Sequence, residues 1–203
     1  APLPTPPGRR GRGLYDDTRS IRELDIPMLV AYAKSKNVGL WLITHFGDLH
    51  SQMDAAFTQF EEWGIAGVKI DYLDRTDQWM MNFYRTAARK AAEHHLMVDF
   101  HGASKPDGSS RTYPNVLTRE GVMGAEYNRW SARLTTRHNV TLAFTRMLAG
   151  PMDYTPGGFN NVIREKFVER TTAPEVMHTR AHATALFVVL ESELQMVADS
   201  PDA

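Results

Sequence analysis

Cysteine is absent from this sequence of 203 residues. Its absence excludes a disulfide framework, cysteine-ligated zinc, iron–sulfur clusters and thiol catalysis. An excess of charge of one sign is also lacking, because 23 lysines and arginines stand against 24 aspartates and glutamates. Nucleic acid and anionic membranes are therefore not expected as partners. The longest apolar runs, such as residues 185–190, fall far short of the ~20 residues that span a bilayer.

What the sequence does contain is enough apolar material for a globular core, at 42% hydrophobic residues. The first 20 residues are the exception, since four prolines within positions 1–7 are followed by the segment GRRGRG. Such a segment cannot bury an apolar face and predicts a disordered leader over residues 1–20. We expect residues 21–203 to form a single domain.

Helical and strand patterns alternate from residue 25 onwards. Continuous apolar runs predict strands at 38–45, 64–72 and 96–100, and amphipathic spacing predicts helices at 27–36, 49–63 and 78–95. Asp77 is the expected N-cap of the third helix. Weaker patterns predict strands at 122–126 and 194–197 and helices at 139–149 and 178–190. This alternation is typical of parallel βαβ units, and a barrel of eight such units typically needs ~250 residues.

Ionisable residues end three successive predicted strands. His45 ends the first, Lys69 and Asp71 share one face of the second, and Asp99 and His101 share one face of the third. Ligands of parallel α/β folds bind at the carboxyl ends of strands, so this pattern favours one common site over scattered loop charges. Asp71 beside Lys69 is expected to stay ionised and could serve as a nucleophile, a general base or a metal ligand.

Two glutamates, Glu120 and Glu126, bracket the predicted strand at 122–126. Two carboxylates from different strands are the minimum equipment for glycoside hydrolysis, but ordinary surface acids would show the same spacing. Aromatic residues near the strand ends, Trp41 among them, suit a sugar site, although core packing explains any single one.

Four longer motifs resemble glycoside hydrolase family 97, which contains α-glucosidases and α-galactosidases. They are GVKIDYLDRTDQ, VDFHGASKPDGSSRTYPNVLTREGVMGAEYN, FTRMLAGPMDYTPGGF and LQMVADSP. The resemblance implies the retaining branch, because Asp71 stands where inverting members have glycine and Gly102 stands where they have glutamate. Asp71 would then be the nucleophile and Glu126 the acid/base residue.

The resemblance also implies a Ca²⁺ ion at Glu120 and Glu126, and an oligosaccharide substrate from which terminal α-linked galactose is removed. The candidate substrate-binding residues are Lys69, His45, His101 and Trp41. Two alternatives remain: an α-glucosidase of the same family, and a catalytically inactive barrel fragment that binds carbohydrate.

The implied fold is an incomplete (β/α)8 TIM barrel with about six of eight βα units, its first strands missing. Family members add an N-terminal β-sandwich and a C-terminal β-domain, which the resemblance leads us to expect outside this chain, and the family implies a periplasmic or secreted location. Because the missing units would leave strand edges open, we expect the isolated chain to be poorly stable and inactive.

Overall fold

The computed structural model describes residues 16–199, so most of the predicted leader at 1–20 lies outside the described residues. The chain forms an α/β fold around one sheet with the strand order β1-β2-β3-β4. Its strands are β1 (Trp41–His45), β2 (Gly67–Asp71), β3 (Met97–Phe100) and β4 (Val116–Arg119). Its helices are α1 (Ile26–Ser35), α2 (Phe46–Trp63), α3 (Gln78–Glu93), α4 (Thr136–Phe144) and α5 (Arg180–Val189). Short 3-10 turns occupy Ser109–Arg111, Ala125–Arg129, Arg146–Ala149 and Arg164–Lys166.

The alternation predicted for the first half of the chain is confirmed. Strands β1, β2 and β3 pair in parallel and are separated by α2 and α3. The predicted cap of α3 is also confirmed, because the side chain of Asp77 accepts a hydrogen bond from the backbone N–H of Met80 at 3.0 Å. Helix α2 begins earlier than predicted, since Nδ1 of His45 accepts from the N–H of Gly47 and caps it.

Two predicted strands are wrong. Residues 122–126 do not pair; the strand lies earlier, at β4, and Ala125–Arg129 form a 3-10 turn. Gly121, with a φ of 49°, turns the chain directly after β4, and this turn ends the extended conformation. Residues 194–197 also form no strand, and the side chain of Gln195 instead donates to the carbonyl of Phe187.

The sheet has four strands within residues 16–199, fewer than the six or so βα units expected. Beyond it, Asn161 and Val176 form an isolated parallel bridge. None of the helices within the described range combines the length and the apolar character that crossing a bilayer requires.

Contacts divide the described chain into two compact units. The first unit comprises residues 16–104 and 108–117, and the second comprises 105–107 and 118–199. In the first unit, Val68, Ile70, Val98 and Phe100 are fully buried on one face of the sheet, in the core that contains the apolar sides of α1, α2 and α3. The second unit has its own smaller core, formed by Ala125, Leu134, Leu142, Met152, Tyr154, Leu186 and Leu190.

The opposite face of the sheet carries the polar residues of the first unit in rows across the strands. In one row, Lys69 of β2 lies between its register partners Ile43 of β1 and Asp99 of β3. The next row on this face lies two residues closer to the carboxyl ends of the strands, where His45 pairs with Asp71. Trp41 pairs with Gly67 at the start of the strands. Trp41 therefore lies at the start of β1, four residues before His45 and at the opposite end of the strands from Asp71.

Gly67 gives the Trp41 indole its space. A Cβ atom at position 67 would lie 2.5 Å from the indole. Overpacking a well-packed site of this kind typically costs about 1–3 kcal/mol. We therefore expect Gly67→Ala to lower the free energy of unfolding, measured by urea denaturation, by that amount.

The Gly67→Ala, Trp41→Leu double variant is the control, since the smaller leucine removes the clash. The stability loss from Gly67→Ala should largely disappear in the Trp41→Leu background. An equal loss in both backgrounds would mean that the indole is not what excludes a side chain at position 67.

Candidate active site

Asp71 ends β2, and its carboxylate is held by two donors from the same unit. The backbone N–H of Tyr72 donates to its Oδ1 at 2.6 Å, and Nδ1 of His101 lies 3.3 Å from the same oxygen. Burial by itself would raise the pKa of Asp71, but the His101 hydrogen bond, followed by the Tyr72 N–H, outweighs burial and lowers that pKa below its usual value. The structure therefore holds a half-buried, ionised carboxylate at the carboxyl end of the sheet.

Lys69 contributes less to this charge than the sequence suggested. It is the weakest of the influences that lower the pKa of Asp71, behind the His101 hydrogen bond. Its Nζ lies 3.4 Å from Oδ2 of Asp99, whose side chain is fully buried. Lys69 and Asp99 thus form an ion pair one row beneath Asp71, and Asp99 balances the lysine charge there.

His45 is fixed by two contacts at the same edge. Its Nδ1 caps α2, and its ring stacks on Tyr72 with centroids 4.7 Å apart and an interplanar angle of 25°. Tyr72 has a φ of 66°, in the left-handed region that few bulky residues occupy. The edge of the first unit therefore presents Asp71, His101, His45 and Tyr72 as one connected group.

Gly102 packs directly against the backbone that follows Asp71. Its φ is 56°, and a Cβ atom there would lie 3.2 Å from the backbone N atoms of Tyr72 and Leu73 and from Cα of Tyr72. A side chain at this position would be strained by the backbone conformation and crowded by main-chain atoms. The local structure at position 102 therefore suits glycine and disfavours a glutamate.

The second unit brings Glu120 and Glu126 together. Glu120 follows β4 and is buried, and Glu126 lies in the first turn of the 3-10 segment Ala125–Arg129. Carboxylate oxygens of the two residues lie within 4.8 Å of each other. Two carboxylates this close repel each other unless a cation or a proton intervenes. Asp71 belongs to the first unit and Glu126 to the second.

Tyr154 supports the turn that carries Glu126. Its carbonyl accepts from the N–H of Ala125 at 2.9 Å, and a Cβ atom at Gly124 would lie 2.9 Å from the same oxygen. The Tyr154 hydroxyl reaches Oδ1 of Asn139 on α4 at 2.5 Å. The start of the Glu126 turn is therefore tied to the core of the second unit, and Gly124 permits this close approach.

Arg146 organises the segment that carries Glu120. Its guanidinium lies 2.9–3.1 Å from five backbone carbonyl oxygens, those of Arg119, Glu120, Gly121, Gly150 and Pro151. Burial, and then the charge of Arg119, lower the pKa of Arg146 to about 10, so it stays protonated at neutral pH. Its charge-assisted hydrogen bonds therefore link the backbone of residues 119–121 to that of residues 150–151.

Sequence reasoning missed Arg146 and the role of Asp99. Every residue has a backbone carbonyl, so residue spacing cannot indicate which carbonyls an arginine will bind. Arg146 lies within the motif FTRMLAGPMDYTPGGF and has no sequence pattern of its own that indicates this role. Asp99 shares a strand face with His101, and this period-2 pattern was the available signal for a buried partner to Lys69.

Comparison with known proteins settles the family. The family model described as glycoside hydrolase 97 matches residues 10–122, more than half of the chain. The chain belongs to glycoside hydrolase family 97. It is 39% identical over 183 residues to the retaining alpha-galactosidase of Bacteroides thetaiotaomicron, and 37% identical over 179 residues to a probable retaining alpha-galactosidase of Streptomyces bingchenggensis. These alignments cover 89% and 87% of this chain but only 28% and 26% of the relatives.

Solved structures of the family agree with the fold. A family 97 enzyme from Pseudoalteromonas sp. strain K8 in complex with acarbose has a TM-score of 0.82 and 34% identity, covering 94% of this chain and 32% of that enzyme. Another structure from the same strain, in complex with panose, has the same TM-score and 33% identity, with the same coverage of both chains. The chain thus spans less than a third of the length of these family 97 proteins.

Proposed function

We propose that this chain carries the catalytic carboxylates of a retaining, exo-acting α-galactosidase that removes terminal α-linked galactose from oligosaccharides. The observation that carries the proposal is the Asp71 carboxylate, kept ionised at the carboxyl end of β2 by His101 and the Tyr72 N–H. The names of the Bacteroides and Streptomyces relatives support the galactose specificity and the retaining outcome.

In the proposed reaction, an Asp71 carboxylate oxygen attacks the anomeric carbon while Glu126 donates its proton to the departing glycosidic oxygen. Glu126, now ionised, then takes a proton from water, and the water oxygen attacks the anomeric carbon and releases Asp71. Two inversions give net retention, and this mechanism needs the carboxyl groups about 5–5.5 Å apart.

The neighbouring side chains of the first unit prepare the nucleophile. His101 donates its hydrogen bond to Asp71 in the ground state, and Lys69 places a positive charge one row beneath. Lys69, His45 and His101 remain proposed substrate-binding residues. Trp41 is left out of this set because it starts β1, at the end of the strand away from Asp71.

We also propose a Ca²⁺ ion at Glu120 and Glu126. The observation that fits it is the pair of carboxyl groups whose oxygens lie within 4.8 Å, since Ca²⁺ prefers several oxygen ligands and a protonated Glu126 would still offer its carbonyl oxygen. The ion would supply positive charge that holds both glutamates in place. The further proposal of an incomplete TIM barrel is supported by the strand order β1-β2-β3-β4, by the parallel pairing of β1, β2 and β3, and by the family.

An α-glucosidase is the alternative, because family 97 enzymes have been solved with acarbose and with panose. The other alternative is a barrel fragment that binds carbohydrate without catalysis. The ionised Asp71 argues against such an inactive fragment, because a half-buried charge is costly and would not be expected to persist at a site without function.

Hydrolysis of p-nitrophenyl α-galactoside and p-nitrophenyl α-glucoside tests the proposal. It is measured on the 203-residue chain and on a hybrid in which residues 16–199 replace the matching segment of the Bacteroides relative. We expect the kcat/KM of the hybrid for the galactoside to exceed its kcat/KM for the glucoside at least roughly tenfold, because a difference of about 1.4 kcal/mol in transition-state binding gives that factor. The isolated chain is expected to be inactive.

The unmodified Bacteroides relative is the control for assembly of the hybrid. Proton NMR of the first product should show the α-anomer before mutarotation. The β-anomer as first product would contradict the retaining mechanism, and a preference for the glucoside would establish the alternative specificity.

A further inference from the structure

Tyr72 does not take the position that strand alternation gives it. Val68 and Ile70 are buried on the core face of β2. Because side chains alternate between the two faces of a strand, Tyr72 would be expected on the same core face. Its side chain is instead 57% exposed and stacks on His45, the register partner of Asp71. The positive φ of Tyr72 explains this, because a left-handed residue turns the chain out of the strand direction.

Three contacts maintain this unfavourable backbone conformation. The Tyr72 N–H is bound to Oδ1 of Asp71, its ring lies against His45, and Gly102 leaves only enough room for its backbone. Non-glycine residues in the left-handed region concentrate at functional sites, where the surroundings hold them. Neither helix capping nor core packing accounts for Tyr72, since it caps no helix and its ring is largely exposed.

The exposed ring belongs to the residue that follows the proposed nucleophile, and it stacks on His45, the register partner of Asp71. The stack with His45, at 4.7 Å and 25°, fixes the plane of the ring, so the tyrosine offers a preformed aromatic surface and loses little side-chain freedom on binding. Aromatic faces carry negative charge density and attract polarised C–H bonds. A pyranose presents such bonds on the face that its hydroxyl groups leave free.

We infer that Tyr72 is a specificity-determining residue, a platform for the apolar face of a galacto-configured pyranose. In galactose the axial 4-hydroxyl points to the opposite face, so the C–H bonds at C3, C4 and C5 form one apolar patch. In glucose the equatorial 4-hydroxyl interrupts that patch with a polar rim. The platform therefore favours galactosides over glucosides, and this inference rests on the proposed function of the same site.

Saturation-transfer NMR on the hybrid, in which residues 16–199 replace the matching segment of the Bacteroides relative, tests the platform with methyl α-D-galactopyranoside and methyl α-D-glucopyranoside as probes. Tyr72→Asn removes the ring but keeps a residue that tolerates positive φ, and Tyr72→Phe keeps the ring. We expect Tyr72→Asn to weaken galactoside binding about tenfold and to leave glucoside binding within about twofold, whereas Tyr72→Phe keeps the wild-type preference. Circular dichroism of both variants verifies that they fold.

An unchanged galactoside-to-glucoside ratio in the folded Tyr72→Asn hybrid would overturn the platform, and so would an unsubstituted hybrid that gives saturation transfer from neither probe. If Tyr72→Asn does not fold, loss of the preference in folded Tyr72→Leu gives the same answer. The outcome is separate from the proposed function, because galactoside binding without hydrolysis by the hybrid would refute catalysis and keep the platform.

Discussion

Replacement of Asp71 by glycine is expected to reduce hydrolysis of p-nitrophenyl α-galactoside by the hybrid at least roughly 10⁴-fold, the scale seen when a nucleophile or its partner is removed. The reason is that no other group would then form the glycosyl-enzyme bond from that face of the sugar. The exposed Asp74, three residues later, provides the matched control, and Asp74→Gly should stay within a factor of about two of wild type.

Azide separates a nucleophile from a residue that merely supports the fold. Glycine at position 71 leaves space for a small anion, so sodium azide should restore cleavage of the activated galactoside and give β-galactosyl azide, the inverted product. The kcat of the Asp71→Gly hybrid is measured against azide concentration, with product anomers assigned by NMR. Failure of azide to restore turnover to a folded variant would argue against Asp71 as the nucleophile.

His101 should set the acidic limit of this activity. Because its hydrogen bond lowers the pKa of Asp71 against the opposing effect of burial, His101→Ala is expected to raise that pKa. The acidic limb of the kcat/KM profile, where Asp71 becomes protonated, should then move to higher pH. The same change means that the stability contributed by ionised Asp71 is lost at a higher pH as the solution is acidified.

The first half of the chain could be predicted from sequence because its apolar runs are continuous and its helices have regular spacing. Once β2 and β3 were recognised as parallel neighbours, period-2 alternation placed Lys69, Asp71 and Asp99 on one face, and the structure shows them there. The charge balance was harder to predict. Which side chain holds Asp71 depends on side-chain reach across strands, and His101 rather than Lys69 makes the hydrogen bond.

The structure of the second half of the chain was predicted less well, for a physical reason. After His101 the described chain contains one four-residue strand and otherwise short helices, turns and irregular segments, so local periodicity carries little information. Gly121 turns the chain at positive φ where a strand was expected, and Tyr154 and Arg146 hold the glutamate segments through backbone carbonyls. Such contacts join residues more than 20 positions apart and follow no spacing rule.

Arg146 is the position where a conservative substitution should be most damaging to the second unit. Lysine keeps the positive charge, but its single ammonium offers three donors from one point and cannot replace the planar guanidinium that lies near five carbonyls on two chain segments. Each buried carbonyl left without a donor costs about 1–3 kcal/mol. We therefore expect Arg146→Lys to lower the free energy of unfolding by at least about 3 kcal/mol, measured by urea denaturation.

Hydrogen exchange locates the effect. In Arg146→Lys, exchange should accelerate at the amides of residues 119–121 and 153, because the Asp153 N–H is bound to the Arg119 carbonyl that Arg146 also holds. The exposed Arg137 on α4 gives the matched control, and Arg137→Lys should change neither stability nor exchange. A loss below about 1 kcal/mol in Arg146→Lys would mean that charge alone suffices, and that the geometry of the guanidinium does not hold the Glu120 segment.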